Sequence, residues 1–503
     1  MSTIATFINI FPLDMCKTSY EEQWKRINWQ QALKFVSKAQ TKIYKASKEN
    51  NKKLVIETQK SLVRSWYARL ITIRNIVQEN RSYVDISDIT NLTYKNKIEF
   101  ANTLVLDGIN TTLIKPYIDK NKIITLQNRA KQYLLLLALE PEWESKFEPN
   151  NYGFRPGRSI HDVVFKLSKT LKKEVSYLSF NKIRSCFSRI SHTWLLETLN
   201  TCPLFRLEVK KWLKLGVIVE EKKERIEIRR LQQNPISPLF INILLHYLDQ
   251  NIKPYLSNNT TYKTDSKVSL ETCEYIRYGN QFVLICSNIK TLNEVLKVVG
   301  ISVCKVGLEI NNSESSITHS LNENIKNKSG VSFLGFHIRH VKKAGGKLKK
   351  VWNLNVESTP ERTYVQNHIN QLRDIVKSHE TKSQINLIEK INPICIRWSQ
   401  YYRFSSNKQT YKQLDHIMVN RLLKWGYNRH PTKSKGWVKN KYFYNIDNRN
   451  WYFGVINLKT RVSIYSFVYS KRVKESYLPI DNTKSPYDGN NNYWLLRLKQ
   501  QIL

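Results

Sequence analysis

Between Ile391 and Lys441 the chain sets eleven lysines and arginines against a single acid, Asp415, and threads eight aromatics among them. The densest part reads Arg429-His430-Pro431-Thr432-Lys433-Ser434-Lys435-Gly436-Trp437, followed by Lys439 and Lys441-Tyr442-Phe443. Cations neutralise phosphate and flat rings stack on unpaired bases, so this pattern is fitted to RNA. Arg397 and Arg403 open the same stretch. Trp398 and Trp425 are the aromatics most expected to lie in a core beneath the basic face. A second constellation is Asn151-Tyr152-Gly153-Phe154-Arg155-Pro156-Gly157-Arg158-Ser159. Its glycines and proline shape a turn that would present the guanidiniums of Arg155 and Arg158 to phosphate.

The whole chain carries the same bias. Lysine and arginine total 81 against 41 acids, a formal net charge of +40. A chain so basic repels itself and suits a polyanionic partner, nucleic acid first. A lysine-rich solvated surface, inflated by an AT-biased vocabulary of Lys, Asn and Ile, accounts for part of the excess. Seven cysteines, Cys16, Cys186, Cys202, Cys273, Cys286, Cys304 and Cys395, stand singly with no C-x-x-C pair. That excludes a zinc ribbon, argues against a disulfide framework and implies a reducing compartment. No cofactor or resident metal is expected, and His161, His192 and His319 are read as structural. The apolar run Tyr133 to Leu139 is far shorter than the ~20 residues of a membrane span. Met1 to Tyr20 is unlike a transit peptide, so the protein is expected to act where it is made.

Two to four domains are expected from 503 residues with a hydrophobic share of 41%. Trp29, Leu33, Val36 and Ile43 fall at helical spacing, as do Leu62, Trp66, Leu70, Ile73 and Val77, which predicts two helices split by the polar run Lys48 to Lys53. From about 85 to 340, helical stretches alternate with β-rich runs such as Tyr278 to Cys286 and Val331 to Ile338. The Lys/Gly segment near Lys342 to Lys350 is expected to be a hinge. Beyond it, helices are predicted around Ile369 to Val376 and from Ile385 to Trp398.

Over almost its whole length the chain resembles the group II intron reverse transcriptase/maturase family. The resemblance rests on Trp24, Ile27-Asn28-Trp29 and Ser65-Trp66-Tyr67-Ala68 near the start, then on Tyr152 to Ser159 with His161-Asp162. Further on it rests on Phe333-Leu334-Gly335-Phe336 and, in the thumb called domain X, on Ile391-Asn392-Pro393 and Arg429 to Lys441. Ser485-Pro486-Tyr487-Asp488-Gly489 also matches. The departures are chemical. Cys186, Phe187, Ile190 and His192 fix a register in which Lys182 and Ser188 stand where the family has aspartates, and Asn280-Gln281 replaces the Asp-Asp of the catalytic turn. Two-metal nucleotidyl transfer needs carboxylates, and no acid lies between Glu174 and Glu197 or between Glu274 and Glu294. Gln233 and Asn234 replace two glycines that let backbone approach template and nucleotide.

The resemblance implies an α+β fold, with reverse-transcriptase-like fingers and palm followed by a mainly α-helical maturase thumb. The expected division is an N-terminal helical extension over 1–84, a degenerate fingers/palm over 85–345, the thumb over 346–450 and a basic extension over 451–503. It also implies a splicing cofactor that binds intron-containing precursor RNA, has no polymerase activity and leaves the chemistry to the RNA. Its RNA contacts are expected from Arg155, Arg158, Arg397, Arg403, Arg429, His430, Lys433, Lys435, Lys439 and Lys441. Lys182, Ser188, Asn280 and Gln281 are read as a degenerate former active site. No membrane association and no DNA endonuclease role are expected, and a homodimer stays open. A plastid is the expected location, with the mitochondrion as alternative. Two other readings are a general RNA chaperone and an active reverse transcriptase with unusual metal ligands.

Overall fold

A computed structural model describes residues 19–79, 93–106, 120–184, 191–214, 234–256, 273–322, 329–343, 353–406, 408–446, 449–457, 462–471 and 477–502. The front of the chain is helical: α1 (Tyr20–Arg26), α2 (Trp29–Lys48), α3 (Lys52–Arg64), α4 (Trp66–Glu79), α5 (Tyr94–Thr103) and the long α6 (Lys120–Glu144), with α2, α3 and α4 packed on α6, α5 against α4 and α1 against α5. The single helix expected from Leu62 to Val77 is two. Ser65 leaves the helical region at ψ 139°, and its hydroxyl accepts from Ala68 N at 3.2 Å, starting a new helix. Spacing could not show this break, because the apolar stripe continues across it.

Next come α7 (Ile160–Leu171), β1 (Tyr177–Arg184), α8 (His192–Leu199), α9 (Pro203–Lys214), α10 (Ser237–Ile252), β2 (Cys273–Tyr278), β3 (Gln281–Cys286), α11 (Ile289–Lys305), β4 (Glu309–Ile310) and β5 (Ser316–His319). The strands form one antiparallel sheet in the order β2-β3-β1-β4, with β5 also on β1. Alternation along β3 divides it between two cores. Phe282, Leu284 and Cys286 join a cluster with α10 and α11, while Val283 and Ile285 face one that reaches α7 and the C-terminal helices. The expected strand from Tyr278 to Cys286 is thus a hairpin corner followed by β3. It brings Cys273 opposite Cys286 with Cα atoms 4.3 Å apart, a pair that the scattered cysteine spacing gave no reason to expect.

A second sheet holds β6 (Val331–Phe333), β7 (Phe336–Lys343) and β8 (Asn353–Pro360). Lys343 pairs with Asn353 and Lys342 with Leu354. The segment expected to be a hinge therefore joins two paired strands, and a domain break at 345 falls within their hairpin; residues 344–352 themselves lie outside the described ones.

The back of the chain comprises α12 (Arg362–Ser378), α13 (Gln384–Tyr401), α14 (Lys408–Arg429), α15 (Lys435–Tyr442), a sheet of β9 (Phe443–Ile446), β10 (Arg449–Asn457) and β11 (Val462–Tyr465), and α16 (Asn491–Ile502). Trp425, fully buried on α14, donates from Nε1 to His379 O at 2.9 Å and ties α14 to the end of α12. The boundary expected at 450 cuts β10. Among the described residues no helix is long and apolar enough to cross a membrane.

Candidate nucleic-acid interface

The basic thumb surface is built on the α14–α15 corner. Gly426 lets α15 approach closely: a Cβ there would stand 2.7 Å from Val438 Cγ1. Ser434 caps α15 by accepting from Trp437 N at 3.2 Å. This turns Trp437 outward, 39% exposed. Lys433 and Lys441, four residues to either side, hold their ammoniums 5.7 and 4.6 Å from its ring centroid. Lys433, Lys435 and Lys441 are exposed. The arrangement offers cations for phosphate around a flat ring suited to a base. Arg397, exposed on α13, bonds Pro393 O of its own helix at 3.1 Å.

Arg429, His430 and Arg403 have partners within the protein. Arg429 donates to Glu380 O at 2.9 Å and lies over Trp425 at 4.6 Å, bracing the loop after α12. His430 is engaged within the corner itself. Desolvation first, then the neighbouring Lys441, Arg429 and Lys433, hold its pKa below the usual histidine range. It shares a 2.8 Å hydrogen bond with the Tyr442 hydroxyl, stacks on that ring and meets Trp437 edge-on. Half-buried Arg403 lies 4.8 Å from the Phe404 ring, and Lys439 lies 4.2 Å from the Trp451 ring.

The turn from Asn151 to Ser159 corrects the largest expectation. Arg155 is buried, with four of its five N–H donors engaged. Its Nε and Nη2 grip Glu144 at 2.8 and 3.0 Å, and its Nη1 donates to Glu148 O at 2.8 Å and Asn151 O at 2.9 Å. A guanidinium buried this deeply and held by internal partners is not presented to RNA. Arg158 donates to Pro149 O at 2.7 Å and Asn482 O at 3.3 Å, and burial first, then Arg155, pushes its pKa down to about 10. The turn is a socket for the C-terminal segment. Gly157, at φ +71°, leaves room for Trp494, whose ring would lie 2.4 Å from a Cβ there. Arg497 donates to Gly157 O at 3.1 Å and pairs with buried Asp162, which also accepts from Ile480 N at 2.9 Å. The last part of the expected basic extension, carrying Ile480, Trp494 and Arg497, is thus folded back onto the fingers.

The same turn is bolted to the corner between β2 and β3. A Cβ on Gly153 would fall 2.0 Å from Gly279 N, and Arg277 grips Asp249 through two bonds of 2.9 and 2.6 Å while reaching Gly279 O at 3.0 Å. At that corner Asn280 exchanges bonds with Ile183: Ile183 N donates to Asn280 O at 2.8 Å, and Asn280 Nδ2 to Ile183 O at 3.1 Å. Lys182 sits opposite Gln281 across the ladder. Its ammonium meets Glu314 Oε2 at 2.8 Å, a carboxylate brought in by the turn between β4 and β5. Glu314 lies too far along the chain for the residues around Lys182 to announce it. Two metal ions would need several carboxylates here; one carboxylate paired to an ammonium, with two amides beside it, does not fit them. Among the described residues no group of three His, Cys, Asp or Glu could hold a metal. Ser188 and Gln233 lie outside the described residues, while Asn234 accepts from Ser237 N at 3.1 Å at the start of α10.

Three family profiles match the chain in order. "N-terminal domain of reverse transcriptase" covers residues 24–104, "Reverse transcriptase (RNA-dependent DNA polymerase)" covers 118–338, and "Group II intron, maturase-specific domain" covers 365–443. The chain belongs to the group II intron maturase family. "Maturase-like protein 1" of Euglena gracilis is 23% identical over 401 residues, spanning 75% of this chain and 77% of that protein. "Group II intron-encoded protein LtrA" of Lactococcus lactis is 28% identical over 177 residues, 34% of this chain and 28% of that one. Among solved structures, a Candida tropicalis telomerase superposes with a TM-score of 0.28 at 14% identity, over 62% of this chain and 52% of that one. That superposition is too loose to bear on the fold. The maturase profile ends at Phe443, immediately after the basic α14–α15 corner. Trp451, just beyond it, is an exposed aromatic that the sequence did not single out, since its isolated position gives no periodic signal.

Proposed function

We propose that this maturase binds intron-containing precursor RNA and assists its folding and splicing without polymerising nucleotides. The observation that carries the reading is the α14–α15 corner, where the maturase profile coincides with exposed Lys433, Lys435 and Lys441 around an exposed tryptophan. The Lys182–Glu314 pair supports the loss of polymerase chemistry, because an ammonium repels a cation where the reaction would hold one. The intron RNA would supply the catalytic groups and its own metal ions, and the protein would neutralise phosphate and hold RNA domains together. We place its action in a plastid, with the mitochondrion as alternative, and assign it no endonuclease role. The palm is taken to extend through Pro360, since β7 and β8 are one hairpin.

The test is splicing of group II precursors from the same genome, with and without the purified full chain, at low magnesium. Acceleration of one precursor but not of unrelated structured RNAs supports the proposal. Equal help to every RNA would favour a general chaperone, and primer extension by the wild-type chain would restore the polymerase reading.

A further inference from the structure

The thumb carries a second aromatic feature that the basic corner does not explain. Trp451 is 38% exposed and stands at φ +79°. Backbone in this region is costly for a residue with a Cβ, and such strain persists where the surrounding structure enforces it. The enforcing feature is an irregularity in β10. Its register against β9 shifts between Arg449 and Tyr452, and bulges of this kind re-aim side chains. Phe453 on the same strand is buried in the core, as expected of β10.

Trp451 is re-aimed into a cleft of about 420 Å³ whose wall also includes Lys412, Asp415, His416, Asn420 and Ser470. That volume lies within the roughly 300–1,000 Å³ of small-ligand sites. On α14, Asn420 Nδ2 donates to His416 Nε2 at 3.0 Å, placing an amide and an imidazole on the wall. Asp415 does not make the cleft a cation site: its two oxygens accept from Tyr469 N at 2.7 Å and Ser470 N at 3.0 Å. Two ammoniums flank the cleft, Lys412 in its lining and Lys439 4.2 Å from the Trp451 ring centroid.

We propose that this cleft takes one unpaired nucleotide of RNA, its base stacked on Trp451 and its phosphate held by Lys412 and Lys439. A flat ring, polar groups able to meet a base edge and cations at the rim are the parts that recognise a splayed-out nucleotide. The proposal rests on the RNA-binding reading above and names a ligand for a site beyond the α14–α15 corner.

The experiment measures binding of the full chain to a single-stranded oligoadenylate and to a fully paired RNA duplex of equal length, across a salt series. Trp451→Ala is expected to weaken oligoadenylate binding roughly five- to hundredfold, the range of one base–aromatic stack, without changing the salt slope. Duplex affinity stays as in wild type, and Trp451→Phe keeps most of the single-strand affinity. Lys412→Ala lowers the salt slope by about 1. Wild-type oligoadenylate affinity in a folded Trp451→Ala chain overturns the proposal, as does an equal loss on both RNAs. Should Trp451→Ala fail to fold, photocrosslinking of the wild-type chain to a 4-thiouridine-substituted strand decides: adducts on the peptide containing Trp451 support the pocket, and adducts confined to other peptides overturn it. Wild-type binding with no preference for intron RNA would unseat the splicing reading and leave the pocket standing. Intron-specific binding that survives Trp451→Ala unseats the pocket alone.

Discussion

Lys182 and Glu314, 132 residues apart in sequence, form a 2.8 Å ion pair at the corner where the central sheet would carry polymerase carboxylates. Both side chains keep solvent access, so the pair contributes only about 0–1 kcal/mol to stability. Its consequence is electrostatic: the Glu314 carboxylate brought to this corner is already paired with an ammonium. Primer-extension assays with magnesium or manganese should show no synthesis above a no-enzyme control. Changing Lys182, Asn280 and Gln281 together to Asp should still give none, because Gln233 and Asn234 stand in the sequence where the family resemblance implies glycines that admit template and nucleotide. Efficient synthesis by that triple variant would show that the charge change alone had silenced the site.

Arg155 and Glu144 are both almost wholly buried, with side chains 2% and 1% exposed. Removing the arginine strands a carboxylate in the interior, a change that costs about 3–5 kcal/mol. Arg155→Ala should therefore lower the melting temperature markedly, and any loss of RNA binding should track unfolding. A folded, thermally normal Arg155→Ala chain with weakened RNA binding would return this residue to the interface.

Glu140 supplies a pH dependence. Burial raises its pKa from 4.5 to about 7, the bond from Tyr487 pulling it back and nearby Glu144 pushing it further up. The carboxyl thus holds its proton longer in the folded chain than in the unfolded one. Its stabilising contribution is complete below pH 4.5 and is lost as pH rises to about 7. Glu140→Gln, which cannot ionise, should flatten that part of the stability profile in denaturant titrations. An unchanged slope in the variant would mean that another group carries the dependence.

How much of this was legible in the sequence follows from range. Local periodicity gave the helices from Trp29 onward, and β-rich runs marked strands at Tyr278 to Cys286 and Val331 to Ile338, because both signals lie within a dozen residues. The composition of the Asn151–Ser159 turn said that two arginines were present but not where they point. Their direction is set by Glu144 and by a segment more than 300 residues away, as the 324-residue separation of Arg158 and Asn482 shows. The Cys273–Cys286 pair depended on the hairpin register, and Trp451 on a bulge that no pattern announces. The thumb cations were easier, since exposed lysines in a run need no distant partner to place them.

Those cations give the most direct test of the interface. Lys433 and Lys441 are exposed, and their replacement leaves the buried Trp425 anchor and the Ser434 cap untouched. Solvent-facing changes of this kind shift stability by about 0.5 kcal/mol or less. Changing both to Ala should therefore keep the circular dichroism spectrum while lowering the salt slope of RNA binding by about 2, one for each phosphate no longer neutralised. Trp437→Ala, by contrast, should weaken binding with the slope unchanged, because stacking releases no counterions. Splicing at saturating protein separates affinity from function. If the corner holds the catalytic RNA in its active fold, the double lysine variant will splice more slowly even when fully bound. Wild-type splicing by that folded variant would move the interface away from α14 and α15.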